Sequence, residues 1–193
     1  MLKRLYNWIM ALAAGPRAEP ALALVSFAES SFFPLPPDIM LVPMCLAQRS
    51  RAFRFAAVCT IASVLGGILG YAIGYSLIET VGKQILEFYG QSGAFHEFQA
   101  KFAQYGLWII LIKGLTPIPY KVVTIASGAA AFDPLTFIAA SIVTRGVRFF
   151  AEAALLWYFG EPIREFLEKR LNILTWIFLI VFVLGFAAVH YLF

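Results

Sequence analysis

The sequence predicts an all-α integral membrane protein of two inverted repeats. Each repeat is a re-entrant helical hairpin followed by a transmembrane helix, with an interfacial amphipathic helix between the repeats and a transmembrane helix at the C-terminus. Three observations predict this fold. Of 193 residues, 61% are hydrophobic and 13% charged, with mean hydropathy +0.81, whereas a soluble domain is about half apolar and about a quarter charged. Two apolar stretches in corresponding halves break at clustered prolines, Pro34-Leu35-Pro36-Pro37 and Pro117-Ile118-Pro119. Basic residues fall in short clusters between apolar runs, as membrane orientation requires and as a nucleic-acid surface does not. The whole chain, residues 1–193, reads as one membrane domain with no soluble module.

Residues 1–19 form the N-terminal element. Lys3 and Arg4 precede an apolar run and Ala11-Leu12-Ala13, a pattern shared with secretory signals. The following segment is itself membrane-bound, so a retained interfacial helix with Tyr6 and Trp8 at headgroup level is the preferred reading. Gly15-Pro16 ends it.

Residues 20–48 form hairpin 1. Its arms are too short to cross a hydrocarbon core that needs roughly twenty helical residues. Proline removes a backbone donor and clashes with the preceding turn, so no straight helix passes through residues 34–37. Carbonyls freed at such a break need partners inside protein or in a water-filled cavity. A hairpin that dips into the membrane and returns meets both constraints, with Pro34, Pro36 and Pro37 at its tip and Glu29 and Asp38 on either side.

The next element, 54–78, is a transmembrane helix. Gly66, Gly70 and Gly74 repeat every fourth residue along it, with Gly67 beside them, a spacing that lets another backbone come close. Residues 79–105 are too polar to span. Phe95, Phe98, Phe102 and Tyr105 share a face beside a Glu97–Lys101 pair, which predicts an amphipathic helix at the interface. Residues 106–131 form hairpin 2, with Pro117 and Pro119 at its tip and Ser127-Gly128-Ala129-Ala130-Ala131 for tight packing. Transmembrane helices follow at 134–160 and 171–193.

Counting Lys and Arg tests the topology. If each hairpin returns to the side it entered from, Lys3, Arg4, Arg17, Arg49, Arg51, Arg54, Arg164, Lys169 and Arg170 share one side, and Lys83 and Lys101 the other. Nine against two places the N-terminus in the cytoplasm. The hairpins then open to opposite sides.

Seven charged residues remain at membrane depth: Lys113, Lys121, Arg145 and Arg148, and Glu29, Asp38 and Glu152. Each costs at least about 2.5 kcal/mol at the centre of a lipid-facing helix, so such groups face a cavity or one another. Arg145 and Glu152 are seven residues apart, nearly on one line, with Arg148 about 60° away. These charges read either as ion pairs locking hairpins to helix or as a site. As a site, the cations suit a phosphate, with Arg able to bind it bidentately, and the acids suit an amine or a proton. Cys45 and Cys59 lack metal-ligand spacing and read as small core residues. His96 and His190 lie far from the hairpin tips. With no HExxH, no paired His and no nucleophile beside a base, the sequence predicts neither an enzyme nor a metal or cofactor site.

The hairpin 1 motif with Glu29 and Asp38, the glycine-rich helix at 66–74, Thr116-Pro117-Ile118-Pro119-Tyr120-Lys121, Ser127-Gly128 and the helix ending at Gly160 together resemble the DedA (VTT-domain) membrane protein family over residues 20–160. Residues 113–121 and Thr144-Arg145-Gly146-Val147-Arg148-Phe149 look most like its YqaA-type branch. The resemblance implies two opposed re-entrant hairpins, residence in the bacterial inner membrane, and movement of lipids such as phospholipid or polyprenyl phosphate between leaflets. It matches Glu29 and Asp38 to functional hairpin acids. Where the family places two arginines around the second proline motif, this chain has Lys113 and Lys121, with Arg145 and Arg148 later.

The expected function is therefore a lipid translocase or scramblase, passive or proton-coupled. Lys113, Lys121, Arg145 and Arg148 would contact headgroup phosphate; Glu29, Asp38 and Glu152 would serve proton coupling or headgroup contact. A proton- or ion-coupled carrier of a small soluble solute is the alternative and needs the same broken helices. No nucleic-acid partner is expected, and a homodimer is compatible with the sequence.

Overall fold

The computed structural model describes residues 15, 17–33, 35–88, 92–115, 119–160 and 162, and the regular structure among them is entirely helical. The elements expected at 1–14 and 171–193, the tip residues Pro34 and Pro117, and the side chain of Lys113 lie outside the described residues. In order the helices are α1 (Ala18–Ser31), α2 (Asp38–Ala47), α3 (Ala52–Leu77), α4 (Lys83–Phe88), α5 (Ser92–Leu115), α6 (Tyr120–Ala129) and α7 (Pro134–Gly160). A 3-10 turn at Arg49–Arg51 leads into α3, and a π-helical turn at Ile78–Gly82 extends it. The continuous stretch Arg49–Gly82 and α7 are the two described helices long and apolar enough to cross a membrane.

Proline chemistry sets the breaks. α1 ends with the amides of Phe32 and Phe33 both donating to the Ala28 carbonyl, at 3.0 and 2.8 Å. Pro37 stands at the N-cap of α2, where its missing donor costs nothing. Pro119 does the same for α6. The α6 C-terminus closes through Ala131 at φ 51°, a left-handed position that glycine usually fills; the Phe132 amide reaches back to the Ser127 carbonyl at 3.0 Å.

One difference from the sequence reading concerns α5. The amphipathic segment and the first arm of the second hairpin are a single helix, unbroken at residues 105–106. Nothing at Tyr105-Gly106 stops it, because Gly106 is tucked against the rings of Phe102 and Phe132 and is held there by packing. The aromatic face is present, with Phe95–Phe98 and Phe98–Phe102 centroids 6.0 and 5.7 Å apart, and Lys101 pairs with Glu97 at 2.7 Å.

α3 is the axis of the assembly. α7 runs antiparallel to it: Phe137 packs on Tyr71 (ring centroids 5.2 Å), Arg145 meets Ser63, and Phe150 and Trp157 meet Phe53 (6.4 and 6.1 Å). α1 and α6 both lie along α3 in its own direction. Ser26 donates to the Cys59 carbonyl at 2.8 Å and Ser31 to the Gly66 carbonyl at 2.9 Å, which binds α1 to the first half of α3. A Cβ at Gly66 would overlap the Phe27 carbonyl, one at Gly74 the Ile125 carbonyl, and one at Gly128 the Tyr71 carbonyl. The glycine stripe therefore seats α1 and α6 in sequence, by backbone-to-backbone approach.

Two cores flank this axis. One gathers Leu22, Leu41, Cys45, Phe55, Cys59, Phe149 and Ala153; the other gathers Phe102, Ile110, Tyr120, Val123, Phe132 and Phe137. Both cysteines are buried free thiols. α2 turns back along α1, so that Ala18 and Met44 line one cavity.

Candidate functional site

The last turn of α1 and the first turns of α6 meet on the glycine face of α3. Gly70 is the contact point: a side chain there would strike both Thr124 of α6 and the Ser30 carbonyl of α1. The single Thr124 hydroxyl hydrogen is shared between that carbonyl, 3.2 Å from Oγ1, and the Lys121 carbonyl, 2.9 Å away. Gly67, one turn earlier, faces Tyr120 at the first turn of α6.

At this level Arg145 enters from α7. It is fully buried, with 0% side-chain exposure against 11% for its partner Glu29. Arg145 Nη2 donates to Glu29 Oε2 at 3.2 Å and Nε donates to Ser63 Oγ at 2.6 Å. Ser63 and Ser30 hydroxyls lie 2.7 Å apart, and Ser30 donates to the same Glu29 oxygen at 3.2 Å. With Ser63 accepting from the guanidinium, its hydrogen passes to Ser30, and the loop Arg145–Ser63–Ser30–Glu29 closes with each hydroxyl satisfied. Rings cover the guanidinium: its Cζ is 4.7 Å from the Tyr120 centroid and 4.6 Å from that of Phe149, a cation–π arrangement that partly replaces lost hydration. Tyr120 is itself fixed by a hydrogen bond from its hydroxyl to Ser141.

One turn along α7, Arg148 Nη2 donates to Asp38 Oδ2 at 2.8 Å, with side chains about one-third exposed (31% and 28%). Asp38 opens α2, so acids on both sides of the first break are paired to arginines of one helix. Glu152, a further turn on, lies within electrostatic reach of Asp38, Arg148 and Arg145. One buried donor is left over. Arg145 Nη1, a donor, has no hydrogen-bond partner among the described residues, and Asp38 Oδ1 accepts from no N–H or hydroxyl there, although the Glu152 carboxyl lies within hydrogen-bond reach of Asp38. A buried unpaired polar atom costs about 1–3 kcal/mol, more when charged.

Of the seven charges expected at depth, the structure thus brings together Glu29, Asp38, Arg145, Arg148 and Glu152. Lys121 is half-buried one residue from Tyr120 and makes no ion pair with the described residues. Pro36 and Pro37 lead into α2, and Pro119 into α6. Ser30, Ser63, Tyr120 and Phe149 are members that the sequence reading gave no role. The spacing of Phe149 four residues after Arg145 was a usable signal. The serines gave none, because a small hydroxyl in an apolar helix fits helix packing equally well. Among the described residues no group of His, Cys, Asp and Glu is arranged to hold a metal ion.

Comparison with known proteins shows the family of the chain. The sequence profile of the VTT domain matches residues 33–158. An uncharacterized protein of Haemophilus influenzae is 36% identical over 165 residues, covering 86% of this chain and 85% of its own. An uncharacterized homologue from Histophilus somni is 31% identical over 155 residues, covering 80% and 81%. No solved structure matches. With its broken helices beside two membrane-length helices, and with the VTT profile across most of its length, the chain belongs to the VTT-domain (DedA) family of membrane proteins.

Proposed function

We propose that this protein moves lipid headgroups between the two leaflets of the bacterial inner membrane, as a translocase or scramblase that leaves the lipid chemically unchanged. In this reading the α1–α2 and α5–α6 pairs are re-entrant hairpins of two inverted repeats, open to opposite sides, with the N-terminus cytoplasmic. The observation that carries it is the buried Arg145 Nη1, a donor without a hydrogen-bond partner among the described residues, together with the neighbouring Asp38 and Glu152 carboxyls, beside the face of α3 where α1 ends and α6 begins. An open guanidinium donor beside two neighbouring carboxyls suits a group bearing both a phosphate and a positive or protonated end. Arg145, Arg148 and Lys121, with Lys113, take the phosphate of a phospholipid or polyprenyl phosphate; Asp38, Glu29 and Glu152 take an amine or a coupled proton. Acyl or prenyl chains stay in the bilayer, so only the headgroup needs a polar route.

The test is lipid transfer by purified protein in vesicles, using labelled phosphatidylethanolamine and phosphatidylglycerol. Transfer by the wild type that Glu29→Gln and Arg145→Ala both abolish, with each variant still monodisperse, is the expected result. Equal transfer by all three proteins refutes the headgroup route through these charges. Absence of lipid transfer with or without a proton gradient, for polyprenyl phosphate as well, favours a carrier of a small soluble solute.

A further inference from the structure

A second charged site lies at the opposite end of α1, away from the meeting of α1 and α6. A cavity of about 310 Å³ is bordered by Glu19 at the start of α1, Gln48 after α2, and Arg51 and Arg54 at the head of α3, with the buried Met44 and Phe55 behind them. One carboxylate sets both arginines: Arg51 Nη2 donates to Glu19 Oε2 at 2.8 Å and Arg54 Nε donates to Oε1 at 2.7 Å. Arg51 Nη1 donates to Gln48 Oε1 at 2.9 Å, and its Cζ rests 5.4 Å from the Phe55 centroid. The terminal nitrogens of Arg54 make no hydrogen bond to the described residues, and its side chain is 64% exposed. Two cations against one anion leave the cavity positive, with a fixed pair of guanidiniums facing a space of headgroup size.

We propose that this cavity binds the phosphate of an anionic glycerophospholipid at the membrane surface, as a resident lipid and not as transported cargo. Its place argues for a lipid over a soluble anion. α1 starts, α2 ends and the membrane-length helix starts here, so the arginines stand where a spanning helix leaves the hydrocarbon. Basic pockets between membrane helices at that level hold anionic headgroups. Arg54 and Arg51 grip the phosphate with geometry that lysine lacks, while the chains stay in the bilayer beside the helix ends. Glu19 occupies one donor of each arginine and so competes with the phosphate for them. The site is separate from the Arg145 and Arg148 pairs and stands whether or not headgroups cross between the hairpins.

The experiment is native mass spectrometry of the full-length protein in detergent, counting phosphatidylglycerol and phosphatidylcholine retained from an equal mixture, with and without inorganic phosphate. The expected result is preferential retention of phosphatidylglycerol. Arg54→Gln lowers it about fivefold, the effect of one basic residue near an anionic surface. Glu19→Gln, which removes the cavity's carboxylate, raises it. Unchanged retention in Arg54→Gln overturns the proposal. So does a fall in Glu19→Gln, which would mark the cluster as a structural ion pair, and so does displacement of the lipid by inorganic phosphate, which would mark a free-anion site. The exposure of Arg54 keeps that variant foldable even if Glu19→Gln loosens the end of α1.

Discussion

Neutralising Glu29 should destabilise the protein strongly, and removing Arg145 as well should restore most of the loss. Arg145 has no exposure and Glu29 almost none, so Glu29→Gln leaves a guanidinium in a low-dielectric site without its counter-ion. Breaking a buried pair by removing one partner costs about 3–5 kcal/mol. Two features hold the expected value near about 3 kcal/mol. Gln keeps an oxygen for Arg145 Nη2 and for Ser30, and the Tyr120 and Phe149 faces still cover the charge. Arg145→Met, of similar length and apolar, should cost a similar amount by stranding Glu29. The double variant removes both charges together and leaves only the amide introduced by Glu29→Gln to be satisfied, beside the Ser30 and Ser63 hydroxyls. Equilibrium unfolding in detergent micelles should then give a coupling energy of at least about 2 kcal/mol across the double-mutant cycle. Effects that add within about 0.5 kcal/mol would refute the reasoning, because they would mean that water or another group already neutralises Arg145. A folded double variant has a second use: transfer measured on it separates the loss of a lock from the loss of a headgroup contact.

Two further predictions concern packing and capping. Gly74→Ala puts a methyl into the Ile125 carbonyl, which cannot yield without moving α6; it should cost about 1–3 kcal/mol or more. By contrast Gly146→Ala meets only a Thr60 methyl at 3.9 Å and should stabilise α7 by up to about 1 kcal/mol, both read as unfolding midpoints. Asp133, just before α7, accepts the Thr136 amide at 2.7 Å, and that hydrogen bond holds its carboxyl below the ordinary range. A lowered folded-state pKa gives stability that is present above the usual carboxylate range and lost as pH falls through the lowered value. Asp133→Asn keeps the cap but does not titrate, so the gap between wild type and variant should be open at neutral pH and close in acid. A gap that widens on acidification would contradict the sign.

What the sequence determined by itself is whatever depends on local chemistry. The hydrophobic excess and charge distribution marked a membrane protein; Pro36, Pro37 and Pro119 marked where helices must stop and restart; the glycine period along α3 marked a face for close backbone approach. These survive translation into structure because each is written in a few consecutive residues. At residues 105–106 local chemistry and the helix differ. A fall in polarity there looks like a boundary, but no breaker is present and packing on Phe132 carries α5 through. Charges were legible as a set and not as pairs. The sequence placed Arg145, Arg148 and Glu152 on one helical face, yet Glu29 is 116 positions from Arg145 and Asp38 is 110 from Arg148, distances over which periodicity has no information. Only the tertiary structure decided that Arg145 is sealed by Ser63, Tyr120 and Phe149, that Lys121 stands apart from the ion pairs, and that α1 and α6 meet at Gly70. Those outcomes depend on how closely three helices approach along α3, and that approach is set by contacts between residues far apart in the chain.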